Sequence, residues 1–132
     1  MRLGVLIGIG ALALLTLTAA GQRPAALSAT SAGLWEVTGV PGARAPVRQC
    51  VSEVIALAHF EHRQKNCPRN VLSDGPSNTV IQYNCQGGDF GRSKVTVVTP
   101  RSLKIETQGI SDKLPFSYTL QARRVGDCPE RG

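Results

Sequence analysis

PFSYTLQARRV, residues 115–125, alternates apolar and polar side chains over most of its length. Phe116, Tyr118, Leu120 and Ala122 fall on one face, and Ser117, Thr119, Gln121 and Arg123 on the other. Successive side chains of a strand point to opposite faces, so the stretch reads as a strand with one face buried and one wet. Two upstream segments repeat the pattern. In GRSKVTVVT (91–99), Val95 and Val97 oppose Lys94 and Thr96; in SLKIETQG (102–109), Leu103 and Ile105 oppose Lys104 and Glu106. One-sided burial is the mark of an antiparallel sheet. The connectors, Pro100-Arg101 and GISDKLP (109–115), are short, which makes strands consecutive in sequence neighbours in space.

Working outward, NVLS (70–73) and TVIQYNC (79–85) flank DGPSN (74–78), a strong turn cluster. GLWEVT (33–38) alternates in the same way, and GVPGARAP (39–46) then breaks the pattern with glycines and prolines. The one helical candidate is CVSEVIALAHF (50–60). Ser52 is placed to cap it, Glu53 suits the positive end of its dipole, and Val54, Leu57 and Ala58 share a face. The predicted fold is mainly β: an antiparallel meander of five to six strands, forming a curled sheet or partly open barrel, with one short helix and two disulfides.

At the other end, Arg2 precedes an uncharged, mostly apolar run from Leu3 to about Leu17, followed by Thr18, Ala19 and Ala20. That order is expected of a signal peptide over residues 1–20. A retained membrane anchor is the alternative, although the run is short against the roughly 20 apolar residues of a membrane span. No cysteine lies at the cleavage region, which argues against a lipid anchor. Small and polar residues over 21–32 read as a flexible lead-in, and 33–132 as a single exported β-rich domain, the right size for one domain and too small for two.

Cys50, Cys67, Cys85 and Cys128 all lie beyond the signal segment. An even count in a small exported chain reads as two disulfides, and the wide spacings lack the close C-x-x-C pairs of zinc sites. Four cysteines allow three pairings. If Ser73 opposes Thr79 across the hairpin loop, then Leu72 faces Val80, Val71 faces Ile81, Arg69 faces Tyr83 and Cys67 faces Cys85. Directly opposed residues have Cβ atoms about 4.5–5.5 Å apart, close to what a disulfide requires. A slip of one residue would move the whole set to the other face. Cys50 then pairs with Cys128 and closes most of the domain into one loop.

The order of these landmarks is familiar. GLWEVT follows the signal segment, VRQC leads into VSEVIALA, a strand pair ends in YNC, and the chain closes on ARRVGDC. The sequence from about Gly33 to Cys128 resembles the bacterial family called domain of unknown function 3617, made of small exported proteins. Members often carry Met-rich and Gly-rich segments between the first strand and the first cysteine, where this chain has only GVPGARAP. The resemblance implies location and build, and brings no activity with it.

Residue-level chemistry is sparse. His59, Glu61 and His62 form H-F-E-H, but a zinc site needs three or four ligands and spacing suggests no third, so both histidines read as surface groups past a helix end. Asp89, Asp112, Asp127, Glu36, Glu53 and Glu106 are scattered, and nothing in one dimension pairs any two for acid–base work. No G-x-S-x-G occurs, and no C-x-x-C redox pair. QGGDFGR (86–92) lacks the lysine of a phosphate loop, so its glycines read as a bulge or turn. Trp35 reads as core. The formal net charge of +6 is spread without a dense basic run and aromatics are few, which argues against nucleic acid. A basic surface of this kind attracts acidic envelope polymers weakly.

No catalytic residue, cofactor or metal is therefore expected. The reading is a periplasmic or secreted, non-enzymatic binding or structural domain of the cell envelope, its ligand or partner unknown. Inhibition of a hydrolase such as lysozyme is the alternative.

Overall fold

The computed structural model describes Gly10 and residues 23–130. The expected signal segment, 1–20, lies outside the described residues apart from Gly10. Among the described residues, seven strands form one antiparallel sheet: β1 (Gly33–Thr38), β2 (Val47–Val51), β3 (Arg69–Asp74), β4 (Asn78–Asn84), β5 (Phe90–Thr99), β6 (Ser102–Ser111) and β7 (Leu114–Gly126). Their order is β2-β1-β7-β6-β5-β4-β3. From β3 to β7 this is a plain meander; β1 then lies beside β7 and carries β2 at its outer edge. β2 and β3 remain unpaired with each other, so the curled sheet does not close.

The strand beyond the expected five to six is β2. Only Val51 of its five residues is buried, so its sequence carries almost no alternation signal. This strand also shortens the expected helix: Cys50 and Val51 end β2, and the helical segment runs Val54–His62 as 3-10 turns with a kink at His59. Neither Ser52 nor any other side chain caps it; Glu53 precedes the first turn in extended conformation. Such turns are weak alone, and this segment persists by burying Val54, Ile55, Leu57, Ala58 and Phe60 against the sheet.

Two hairpins are as tight as a hairpin can be. Thr99 pairs with Ser102 across Pro100-Arg101, and Ser111 with Leu114 across Asp112-Lys113. Asp112 and Lys113 have φ of 49° and 67°, the left-handed pair that matches the twist of the flanking strands. The β3–β4 hairpin is less regular. Arg69 faces Tyr83 and Val71 faces Ile81, but a bulge at Leu72 puts Val80 opposite Ser73 and Thr79 opposite Asp74. The turn end is thus shifted by one residue from the expected register, while the cysteine end is in phase.

The core lies between the inner sheet face and the helical segment. Trp35, Val37, Ile81, Val95, Ile105 and Leu120 line the sheet side. Ser93 and Thr107, polar side chains on this face, are paired. Ser93 donates to the Ala58 carbonyl, and its hydroxyl lies 2.8 Å from that of Thr107. These bonds hold the helical segment to β5 and β6.

From Pro24 onward the lead-in packs against the sheet. A single turn, Ala25–Leu27, lies against β4 and β5 and buries Ala26 and Leu27. The Asp74 carboxylate accepts from the backbone N–H of Ala25 at 2.6 Å and of Ala26 at 3.2 Å. Thr30 donates to the Leu27 carbonyl, Arg23 to the Thr30 carbonyl, and the Trp35 indole N–H to the Ser31 carbonyl. The folded body therefore begins about nine residues before the expected boundary at Gly33. In a stretch of small residues, Leu27 is the one large apolar side chain that anchors it.

Candidate functional site

The sheet's open side is where sequence-distant segments meet. Val51 ends β2 there and leads into Ser52–Ile55; across the gap runs β3, whose six residues are all exposed. Between them lies a cleft of about 960 Å³, roofed by Arg23, Leu27 and Thr30–Ala32. Leu27, Val54, Ile55 and Val71 give it an apolar lining, with Glu53 and Arg69 at its rim. Glu53 accepts from the Arg69 guanidinium at 2.8 Å. That exposed ion pair sets the orientation of Arg69 more than it stabilises the fold.

The two disulfides brace this side. Cys67–Cys85 joins the entry of β3 to the exit of β4, with Cα atoms 4.6 Å apart. Cys50–Cys128 joins β2 to the segment after β7, with Cα atoms 5.4 Å apart. Leu34 of β1 pairs with Cys50 on one side and Gly126 on the other, so this bond spans the end of β1.

From Arg69 a line of polar side chains runs beneath β4. Arg69 lies 3.4 Å from His59 Nε2, and the His59 ring meets Tyr83 edge-on. The Tyr83 hydroxyl is 2.8 Å from His62 Nδ1, and His62 Nε2 is 3.4 Å from Asp89 Oδ2. Lys65 donates to the same Asp89 oxygen at 2.6 Å, and the Asp112 backbone N–H to the other at 3.1 Å. The Tyr118 hydroxyl donates to Glu61 at 2.5 Å.

The histidines are therefore not surface groups past a helix end. His62 is 3% exposed and His59 is half-buried. The available signal was the row Val54, Ala58, His62, four residues apart, which puts His62 on the helix's buried face. Asp89 also enters this line, which no spacing in the sequence indicated. Among the described residues, no three of the His, Cys, Asp and Glu side chains gather as a metal site. Glu36 lies between Arg48 and Arg123, Glu106 beside Lys104, and Asp127 on Arg124. Trp35 is core. Gln86–Gly88 form a turn before β5.

Electrostatics in the line follow from burial and from Lys65. Burial, then the nearby Glu61 and Asp89 charges, push the Tyr83 phenol far above the usual tyrosine range. Burial and the bond to Glu61 do the same for Tyr118. Both phenols stay neutral, and Tyr118 donates to Glu61. The Lys65 hydrogen bond holds the Asp89 carboxyl below the ordinary carboxylate range. Burial, then the Arg69 charge, lower the His59 pKa from its ordinary 6.5.

A pH dependence follows. A depressed histidine pKa means that the unfolded chain binds the proton more readily, so the His59 contribution is whole above pH 6.5 and is lost as pH falls below it. Asp89 is depressed too, so its contribution is present above 3.8 and is lost at more acidic pH. Urea unfolding should show lower stability at about pH 5 than at neutral pH. His59→Gln should reduce that fall; an equal fall in the variant would remove His59 as its cause.

Residues 30–128 match the family described as "Protein of unknown function (DUF3617)". This chain belongs to that family. The match covers every strand, both disulfides and the whole polar line, and starts at Thr30 in the roof of the cleft. No curated protein and no solved structure matches the chain. Among the described residues, no helix is long and apolar enough to cross a membrane.

Proposed function

We propose that this DUF3617 protein is an exported, non-enzymatic binding domain of the cell envelope, holding a small amphiphilic molecule in the cleft at the open side of its sheet. The observation that carries this reading is the cleft itself. Its 960 Å³ falls within the range of small-molecule sites, roughly 300–1,000 Å³. Its apolar lining suits a hydrocarbon portion, and the arginines Arg23 and Arg69 suit a polar or anionic end. Export is supported by two disulfides without a free cysteine, a state that persists in oxidising compartments. The non-enzymatic part is supported by burial: His62 and Asp89 are only 3% and 6% exposed, and His62 is engaged by the buried Tyr83.

The test uses oxidised protein recovered from a bacterial periplasm. Native mass spectrometry should find a bound amphiphile, and medium-chain fatty acids should raise the melting temperature. Narrowing the cleft through Val71→Trp should weaken both effects; Val71 is 37% exposed, so the fold tolerates the change. Absence of any bound species, with no thermal shift across fatty acids and lysolipids, would refute the cleft as a ligand site.

A second reading, a hydrolase inhibitor with lysozyme as one target, is favoured by β3. An exposed edge strand offers unpaired backbone groups to a partner's chain. Lysozyme activity unchanged at micromolar protein would remove that target.

A further inference from the structure

The sheet's outer face, turned away from the helical segment and its core, presents a different surface. Register places Gln82, Arg92, Gln108 and Ser117 in one row across β4, β5, β6 and β7. Adjacent strands are about 4.8 Å apart, so the row sets polar groups at regular intervals across the sheet. Arg92 donates to Gln82 Oε1 at 3.0 Å, which holds the guanidinium in the row. Alongside runs an apolar row, Phe90, Ile110 and Pro115, in the same register. Phe90 is 41% exposed, and a depression of about 420 Å³ lies between it and the amides.

Charge on this face is one-sided. Arg48, Arg92, Lys94, Lys104 and Arg123 outnumber Glu36 and Glu106. Glu36 is held between Arg48 and Arg123, and Glu106 lies 3.8 Å from Lys104. Among the described residues, Arg92 and Lys94 make no salt bridge, and both stand beside the depression or in the next row.

We propose that this outer face between β4 and β7 binds a carboxylate-bearing glycan chain. Amide, hydroxyl and guanidinium groups in a straight row match the repeated hydroxyls of an extended sugar polymer. The exposed Phe90 ring offers a flat apolar surface for a sugar's C–H face. The Arg92 fork takes a carboxylate in a bidentate bond, and Lys94 adds a second positive charge. This site is independent of the cleft.

Isothermal titration of the oxidised protein with oligogalacturonate at low salt tests the proposal. Binding should weaken as salt rises, a neutral gluco-oligosaccharide should not bind measurably, and polyglutamate should bind more weakly than the glycan. Arg92→Gln should cost about tenfold in affinity, and Phe90→Ala about fivefold. Both side chains are exposed, so an unchanged circular dichroism spectrum certifies the fold. Val71→Trp in the cleft should leave glycan binding intact. No binding, equal binding of polyglutamate, wild-type affinity in both outer-face variants, or loss of binding in Val71→Trp would each overturn it.

Discussion

Changing Cys50 and Cys128 together to serine should lower the folding stability by about 4.5 kcal/mol, as chain-entropy accounting gives for a bond joining residues 78 apart. The same accounting gives about 3 kcal/mol for Cys67–Cys85, whose residues are 18 apart. Small domains are commonly stable by only about 5–15 kcal/mol, so the longer loop is the bond whose loss brings the protein nearest to unfolding. Its position strengthens that expectation. Cys50 lies on edge strand β2, which is otherwise held by one neighbour, β1. The last strand pair of the sheet's end is thus tied to the terminus of β7 by sulfur as well as by backbone. Denaturant titration of the double variant and of the Cys67→Ser/Cys85→Ser variant gives both values. A larger loss in the second would show that the loop-closure argument does not govern this fold.

Leu27→Ala should cost about 2–5 kcal/mol, the usual range for a buried leucine. Leu27 is 1% exposed and belongs to the central cluster, yet it sits in a stretch whose composition is that of a tether. A side chain on a true tether would change stability by less than about 0.5 kcal/mol when shortened. Asp74→Asn gives a companion measurement, because it weakens the charge-assisted bonds to the backbone of Ala25 and Ala26 while leaving the core intact. Thermal unfolding near wild-type values for Leu27→Ala would place the N-terminal segment outside the cooperative unit.

These two results bear on different levels of what the chain reveals. Val95, Val97, Leu103, Ile105, Leu120 and Ala122 announce their faces through alternation alone, because a strand's two faces are decided one residue at a time. The hairpin logic around DGPSN placed Arg69 opposite Tyr83 even though the bulge at Leu72 shifted the turn. β2 carries no periodic signal, since it is an edge strand with a single buried residue. The histidines are hard to place from sequence for another reason. His62 looks like a polar residue closing a short helix, and its burial depends on Tyr83 and Asp89, which arrive from β4 and the turn before β5.

The cleft illustrates the same divide. Arg23, Leu27, Glu53, Ile55, Arg69 and Val71 come from three separated stretches, and none carries a motif. They converge because β2 and β3, at opposite ends of the strand order, curl toward each other without pairing. By itself the sequence determined the mainly antiparallel β build, the meander from β3 to β7 and the family, since each of these rests on patterns repeated within a few residues. Only the tertiary structure decided that the sheet stays open, that the N-terminal segment packs across its open side and that a polar line runs beneath β4. Those depend on how far the sheet curls and on which distant side chains then come within reach, quantities set by packing over the whole domain.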